Sequence, residues 1–199
     1  MEFEIRDVKR IFDEFFKIER SEVRWKQVNG GMGGFHTRYA IRRGDSVGII
    51  PVLSAGEDAG RAEKVVLVRQ FRYPVAKGAC DGYLWEIPAG MLHGGEPPAE
   101  TARRELREEI GVEVVTVEHL ISFYLSPGVL DEMLHLFLAR LPAGTQLEAS
   151  GGKREEHEDL GVKAFSLPEL RAMIERHEIV DAKTVAAVLY YDTMRRRTR

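Results

Sequence analysis

A single cysteine, Cys80, in a chain of 199 residues excludes an intrachain disulfide and any cysteine metal cluster. The histidines do not compensate: His93, His119, His135 and His157 show no zinc spacing. Long apolar runs are missing too, so no stretch can span a bilayer. The opening MEFEIRDVKR mixes acids with bases and lacks the apolar region of a signal peptide. Charge of one sign is also scarce. The net charge is −3 with both signs spread along the chain, which removes the electrostatic case for wholesale binding of nucleic acid or membrane. The terminal RRRTR is accounted for by the preference of cations for a helix C-terminus. These absences leave a cytoplasmic protein, whose 44% of hydrophobic residues suffices for the core of one domain with a small appendage.

The stretch from Gly90 to Val112, GMLHGGEPPAETARRELREEIGV, is the most informative part of the chain. Pro97 and Pro98 suit a first helical turn, where a missing N–H costs nothing, and Gly111 suits the left-handed position just past the end. The pattern predicts a helix over about 97 to 110 with Ala99, Ala102, Leu106 and Ile110 on its core stripe. Glu105, Glu108 and Glu109 then share one flank, and Arg103, Arg104 and Arg107 the other. Glu105 and Glu109 form a like-charge i,i+4 pair, unfavourable by a few tenths of a kcal/mol. Clustered carboxylates beside a glycine-containing loop suit a hard divalent cation, which takes oxygen ligands and removes the repulsion.

Around this helix, the spacing of Val8, Ile11, Phe12, Phe15 and Ile18 predicts an amphipathic helix over roughly residues 5 to 19. Ser21 to Val28 reads as a strand, followed by the turn-rich NGGMGG. Phe35 to Ile41 and Ser46 to Leu53 flank Arg43-Gly44-Asp45 as a hairpin. Lys64 to Phe71 has the β-branched enrichment of a central strand. Val114 to Leu125 reads as a buried strand, Ser126-Pro127-Gly128 as a break, and Met133 to Ala139 and Leu160 to Phe165 as further strands. Ser166 and Glu169 have capping-box spacing for one helix, and Asp181 caps another from Ala182 to about Arg196.

Gly90, Glu96, Arg104-Glu105-Leu106, Glu108-Glu109 and Gly111-Val112, at their spacings, match the complete Nudix box. With each of its seven fixed residues about as common as glycine, a chance match arises at roughly one in 10⁸ starting points. The string NGGMGGFHTRYAIRRGDSVGIIPV and Pro127, about fifteen residues beyond the box, resemble the ADP-ribose pyrophosphatase branch of that family. The resemblance covers roughly residues 25 to 192. It implies an α/β Nudix fold, a mixed sheet sandwiched between helices, with residues 1–53 as a β-rich segment for dimerisation and substrate and 54–199 as the hydrolase domain.

The same resemblance assigns roles. Glu105, Glu108, Glu109, Glu158 and the backbone carbonyl of Ala89 would hold Mg2+ or Mn2+. Arg104 would orient the helix carboxylates. Arg72, at the end of its strand, would bind the diphosphate, as a planar guanidinium suits two phosphate oxygens. Arg38, Gly128 and Glu132 would contact substrate, Arg38 across a homodimer, although Tyr39 departs from the acidic residue usual next to it. Glu156 would accept the proton of the attacking water, with Glu155 as the alternative base. The reaction implied is hydrolysis of ADP-ribose to AMP and ribose 5-phosphate. Hydrolysis of another nucleoside diphosphate sugar such as GDP-mannose is a second reading, and a nucleotide-sugar sensor without turnover a third. The intact glutamate set argues against the sensor.

Overall fold

The computed structural model describes residues 2–54, 63–78, 80–142, 144–147, 150–151 and 160–197. The chain divides into two compact units, one of residues 1–45 with 123–133, the other of residues 46–122 with 134–199.

In the first unit, β1 (Phe3–Asp13), β2 (Lys17–Trp25) and β3 (His36–Arg42) form an antiparallel sheet in the order β1-β2-β3. The expected helix over residues 5 to 19 is therefore absent, and two strands stand in its place. The reason lies in the register. The β1–β2 ladder shifts between Arg6 and Lys9 and again between Arg10 and Phe12, with Asp7 at a φ of 54°. Each bulge adds a residue and stretches the period-2 alternation, so Ile5, Val8 and Ile11 acquire a spacing of three that imitates a helix. The segment 123–133 joins this unit through Ile41 N–H donating to Val129 O at 2.8 Å and Arg43 N–H donating to Asp131 Oδ1 at 2.9 Å.

The second unit is built on a mixed sheet. Its path contains β4 (Ser46–Leu53), β5 (Lys64–Phe71), β8 (Glu118–Tyr124), β9 (Met133–Leu141), β10 (Ser150–Gly151) and β11 (Leu160–Ser166), in the order β10-β11-β5-β4-β9-β8. Two short strands lie off this path: β6 (Tyr83–Glu86) pairs with β5, and β7 (Ala89–Met91) with β4. β4 runs parallel to β9 and antiparallel to β5 and β7. It does not pair with β3, so the expected hairpin around Gly44 is corrected. β4 is buried along nearly its whole length, and a strand covered on both faces belongs inside a sheet rather than in a two-stranded ribbon. The N-terminal stretch of the first unit runs to Asp45, and β4 opens the second. β8 is also shorter and more exposed than expected, because it is an edge strand.

Alternation sorts the core. Val47 and Ile49 of β4, Val66 and Val68 of β5, and Phe137, Ala139 and Leu141 of β9 pack with Ala102, Leu106 and Ile110 of α1 (Pro98–Ile110). Ile50, Val52, Val65, Leu67, Leu136 and Leu138 are buried in the intervening positions and face the other side. On the helical layer, α2 (Leu167–Glu175) lies against β11, and α3 (Ala182–Arg197) against β4 and β6. Burying each of the Val, Leu, Ile and Phe side chains of this core contributes about 1.5–3 kcal/mol.

The helix ends follow the sequence closely. Pro97 caps α1, and Gly111, at a φ of 70°, donates its N–H to Arg107 O while Val112 donates to Leu106 O. Ser166 and Glu169 form the capping box of α2. Among the described residues no helix is long and apolar enough to cross a membrane.

Candidate active site

The second unit gathers the acidic flank of α1, the strand β7, the ends of β5 and β6, and the first turn of α3. On α1, Glu105 and Glu109 are buried and Glu108 is half-buried. Arg104 does not sit apart from them on an opposite flank. Its Nη1 donates to Glu105 Oε1 at 2.7 Å and to Glu108 Oε2 at 2.9 Å, and its Nη2 donates to Met91 O at 3.2 Å and Glu96 Oε2 at 3.4 Å. A helical wheel gives the direction of each Cβ but not the reach of a long side chain, and Arg104 spans the gap. Glu100, by contrast, pairs with Arg103. Burial opposes the charge on Arg104, yet the Glu105 charge and hydrogen bonds to Glu96 and Glu108 raise its pKa above the ordinary arginine value. Glu96 shows the converse: burial works against its ionisation, and hydrogen bonds from Thr101 and Arg104 nevertheless hold it below the usual carboxylate value.

β7 supplies the opposing wall. Ala89 opens this strand opposite Gly48 of β4, and Gly90 follows it. A Cβ on Gly90 would lie 1.8 Å from Glu105 Oε1, so only glycine lets the backbone approach that carboxylate.

Arg72, just past the end of β5, is held by Glu86 at the end of β6. Nε donates to Oε1 and Nη2 to Oε2, both at 2.9 Å, a bidentate fork. Lys183, in the first turn of α3, also donates to Glu86 Oε2 and lies 3.1 Å from Asp181. Glu86 is 2% exposed. Burial pushes its pKa up, but the Arg72 hydrogen bonds and the Lys183 charge outweigh it and hold the carboxyl below its ordinary value. On Arg72 the Glu86 hydrogen bond is the leading cause of a raised pKa, and the charge of Glu109 adds to it. Of the α1 carboxylates, Glu109 is the one whose charge acts on Arg72.

The structure thus brings Ala89, Arg104, Glu105, Glu108, Glu109 and Arg72 into one unit. Arg38, Gly128 and Glu132 belong to the other. There Arg38 donates to Thr37 O at 2.9 Å and stacks 5.1 Å from the Trp25 ring centroid. Gly128 lies in the turn closed by Leu130 N–H to Ser126 O at 2.8 Å. Glu132 is buried and pairs with Arg43 at 3.2 Å. Glu155, Glu156 and Glu158 lie outside the described residues. Sequence reasoning missed Glu86 and Lys183. Glu86 stands four residues before Gly90 of the box, whereas nothing local marks Lys183.

Among the described residues no three Asp, Glu, His or Cys side chains converge into a ready-made metal cage. The donor set nonetheless fits a hard divalent ion. All three groups are carboxylates, two of them buried, and the Cβ that Gly90 lacks leaves its place to the Glu105 carboxylate, close against the β7 backbone. Magnesium keeps several waters and needs only one or two carboxylates beside substrate phosphates.

A model of the NUDIX domain matches residues 42–188. The ADP-ribose pyrophosphatase of Bacillus subtilis (strain 168) is 37% identical over 145 residues, which cover 72% of this chain and 71% of that one. A GDP-mannose pyrophosphatase of Citrobacter koseri is 40% identical over 129 residues, 64% of this chain and 66% of the relative. The crystal structure of an ADP compounds hydrolase superposes with a TM-score of 0.74 at 18% identity, over 100% of this chain and 96% of that one, a likeness of fold alone. With the box residues clustered as described and the match extending over residues 42–188, this chain belongs to the NUDIX family.

Proposed function

We propose that this chain hydrolyses the diphosphate of ADP-ribose, giving AMP and ribose 5-phosphate. The observation that carries the reading is that one compact unit holds both the α1 carboxylates, two of them tied together by Arg104, and a guanidinium, Arg72, oriented by a buried acid. One side of that arrangement suits a cation and the other suits a diphosphate. A relative at 37% identity bearing the name ADP-ribose pyrophosphatase supports the choice of substrate.

In the reaction, water adds to one phosphorus, the bridging P–O bond breaks, and each product keeps one phosphate. Arg72 binds phosphate oxygens through its planar fork and holds the diphosphate in line for attack. Arg104 keeps Glu105 and Glu108 turned toward each other. Glu156 takes the proton of the attacking water, with Glu155 the alternative base. Mg2+ or Mn2+ on Glu105, Glu108, Glu109, Glu158 and the Ala89 carbonyl would neutralise phosphate charge and lower the pKa of a bound water.

The first unit is assigned to assembly. Phe3, Ile5, Val8 and Ile11 of β1 are each about half exposed, and the two bulges keep them on one face of the sheet, an apolar row that calls for a cover. A two-fold homodimer would cover it, with Arg38, Gly128 and Glu132 supplied as substrate contacts. A cytoplasmic location belongs to the same proposal.

Phosphate release from a panel of nucleotide sugars, with excess phosphatase added, tests the substrate. ADP-ribose is expected to give the highest kcat/KM. GDP-mannose is the second reading, favoured by the relative at 40% identity, and a higher kcat/KM for it would replace the first.

A further inference from the structure

We propose that Lys183 is a positioning residue for Arg72: it keeps the charge of Glu86 compensated, so that Arg72 can turn from Glu86 to a substrate diphosphate. This rests on the reading of Arg72 as the diphosphate ligand.

The geometry behind it is an asymmetric pair of cations on one buried acid. The Glu86 side chain is 3% exposed, and its two oxygens accept from Arg72 Nε, Arg72 Nη2 and Lys183 Nζ. The Arg72 side chain is 41% exposed and that of Lys183 13%. One cation therefore faces solvent and any incoming ligand, while the other is enclosed with the acid.

The enclosed cation is also the anchored one. Asp181 lies 3.1 Å from Lys183 Nζ and accepts from Thr184 N–H at 3.0 Å and Thr184 Oγ1 at 2.6 Å. Thr184 Oγ1 in turn accepts from Ile87 N–H at 2.9 Å. The first turn of α3 thus clamps the residue that follows Glu86 and supplies Lys183 to Glu86 itself. Arg72 and Lys183 balance Glu86 and Asp181 in charge.

If Arg72 were the sole partner of Glu86, its departure would strand a buried carboxylate, which is strongly unfavourable. Arg72 would then stay with Glu86 and bind diphosphate poorly. With Lys183 in place, Arg72 can share or leave the acid while one cation remains on it. A purely structural Lys183 would also neutralise Glu86, but its removal would then lower stability without acting through Arg72.

The test is a double-mutant cycle on the complete, metal-loaded enzyme with ADP-ribose. The dissociation constant of a methylene-bridged, non-hydrolysable ADP-ribose is measured in parallel by calorimetry. Arg72→Ala is expected to raise KM and the analogue's dissociation constant by about tenfold or more. Lys183→Met should raise both by roughly tenfold with kcat changed less than about threefold, and Lys183→Arg should return both to within about threefold. In the Arg72→Ala background, Lys183→Met should add less than about twofold. Lys183→Gln, which can hydrogen-bond Glu86 without charge, is expected to follow Lys183→Met and serves if the latter does not fold. Losses that multiply in the double variant, or a Lys183→Met enzyme with unchanged KM beside an impaired Arg72→Ala, overturn the proposal while leaving Arg72 as the ligand. An Arg72→Ala enzyme with unchanged KM overturns the reading of Arg72 and the proposal with it.

Discussion

The Cβ that Gly90 lacks would lie 1.8 Å from Oε1 and 2.1 Å from Cδ of Glu105. The obstacle is the far end of a flexible side chain, so Gly90→Ala is accommodated by moving the Glu105 carboxylate rather than the backbone. Activity should suffer more than folding. We expect kcat to fall at least about tenfold while Tm drops by only about 2–4 °C, the shift for about 1 kcal/mol in a chain of this size. Circular dichroism and steady-state kinetics read the two effects separately, and an enzyme with unchanged kcat would show that the Glu105 position does not matter.

Glu109 stands one turn from Glu105 and is 5% exposed. Glu109→Gln keeps its shape and relieves the like-charge pair, so the fold should persist. Turnover should fall below about a tenth of wild type, equivalent to about 1.4 kcal/mol of barrier, and half-saturation should need more divalent metal. Retention of most of the wild-type rate at ordinary metal concentration would remove Glu109 from the ligand set.

Glu86 gives a pH dependence. Its folded-state pKa lies below the ordinary 4.5 despite burial. A carboxyl depressed on folding contributes stability above its unfolded pKa and loses it as pH falls through the lower folded value. The Tm advantage of wild type over Glu86→Gln should therefore be largest above about pH 5 and shrink toward acid. Parallel Tm curves for the two proteins would contradict this.

The exposed apolar row of β1 predicts an oligomer. Size-exclusion chromatography with light scattering should give the mass of two chains at micromolar concentration, and Ile5→Asp with Ile11→Asp should shift it toward one. A wild-type monomer with full activity would refute the dimer.

What could be read from the sequence follows from which signals are local. The α1 helix was legible because Pro97, Pro98 and Gly111 act on their own backbone, and its core stripe needs only a period. Arg104 falls on the flank opposite the acids by periodicity alone, and its place among them depends on side-chain reach. Arg72 followed from resemblance, whereas its partners did not: the Glu86–Lys183 contact joins residues 97 apart and has no local signature. β1 was misread because bulges at Asp7 and before Phe12 break the alternation. The turn at Gly44 was found, but which strand β4 joins is decided by burial on both its faces, a property of the assembled sheet.

Diphosphate hydrolysis is tested most directly by following ADP-ribose with the purified protein and Mg2+ by phosphorus NMR. The diphosphate signals should disappear with equimolar appearance of AMP and ribose 5-phosphate, and EDTA or Glu109→Gln should abolish the change. An unchanged diphosphate, or equal turnover by Glu109→Gln, would contradict the proposed hydrolysis.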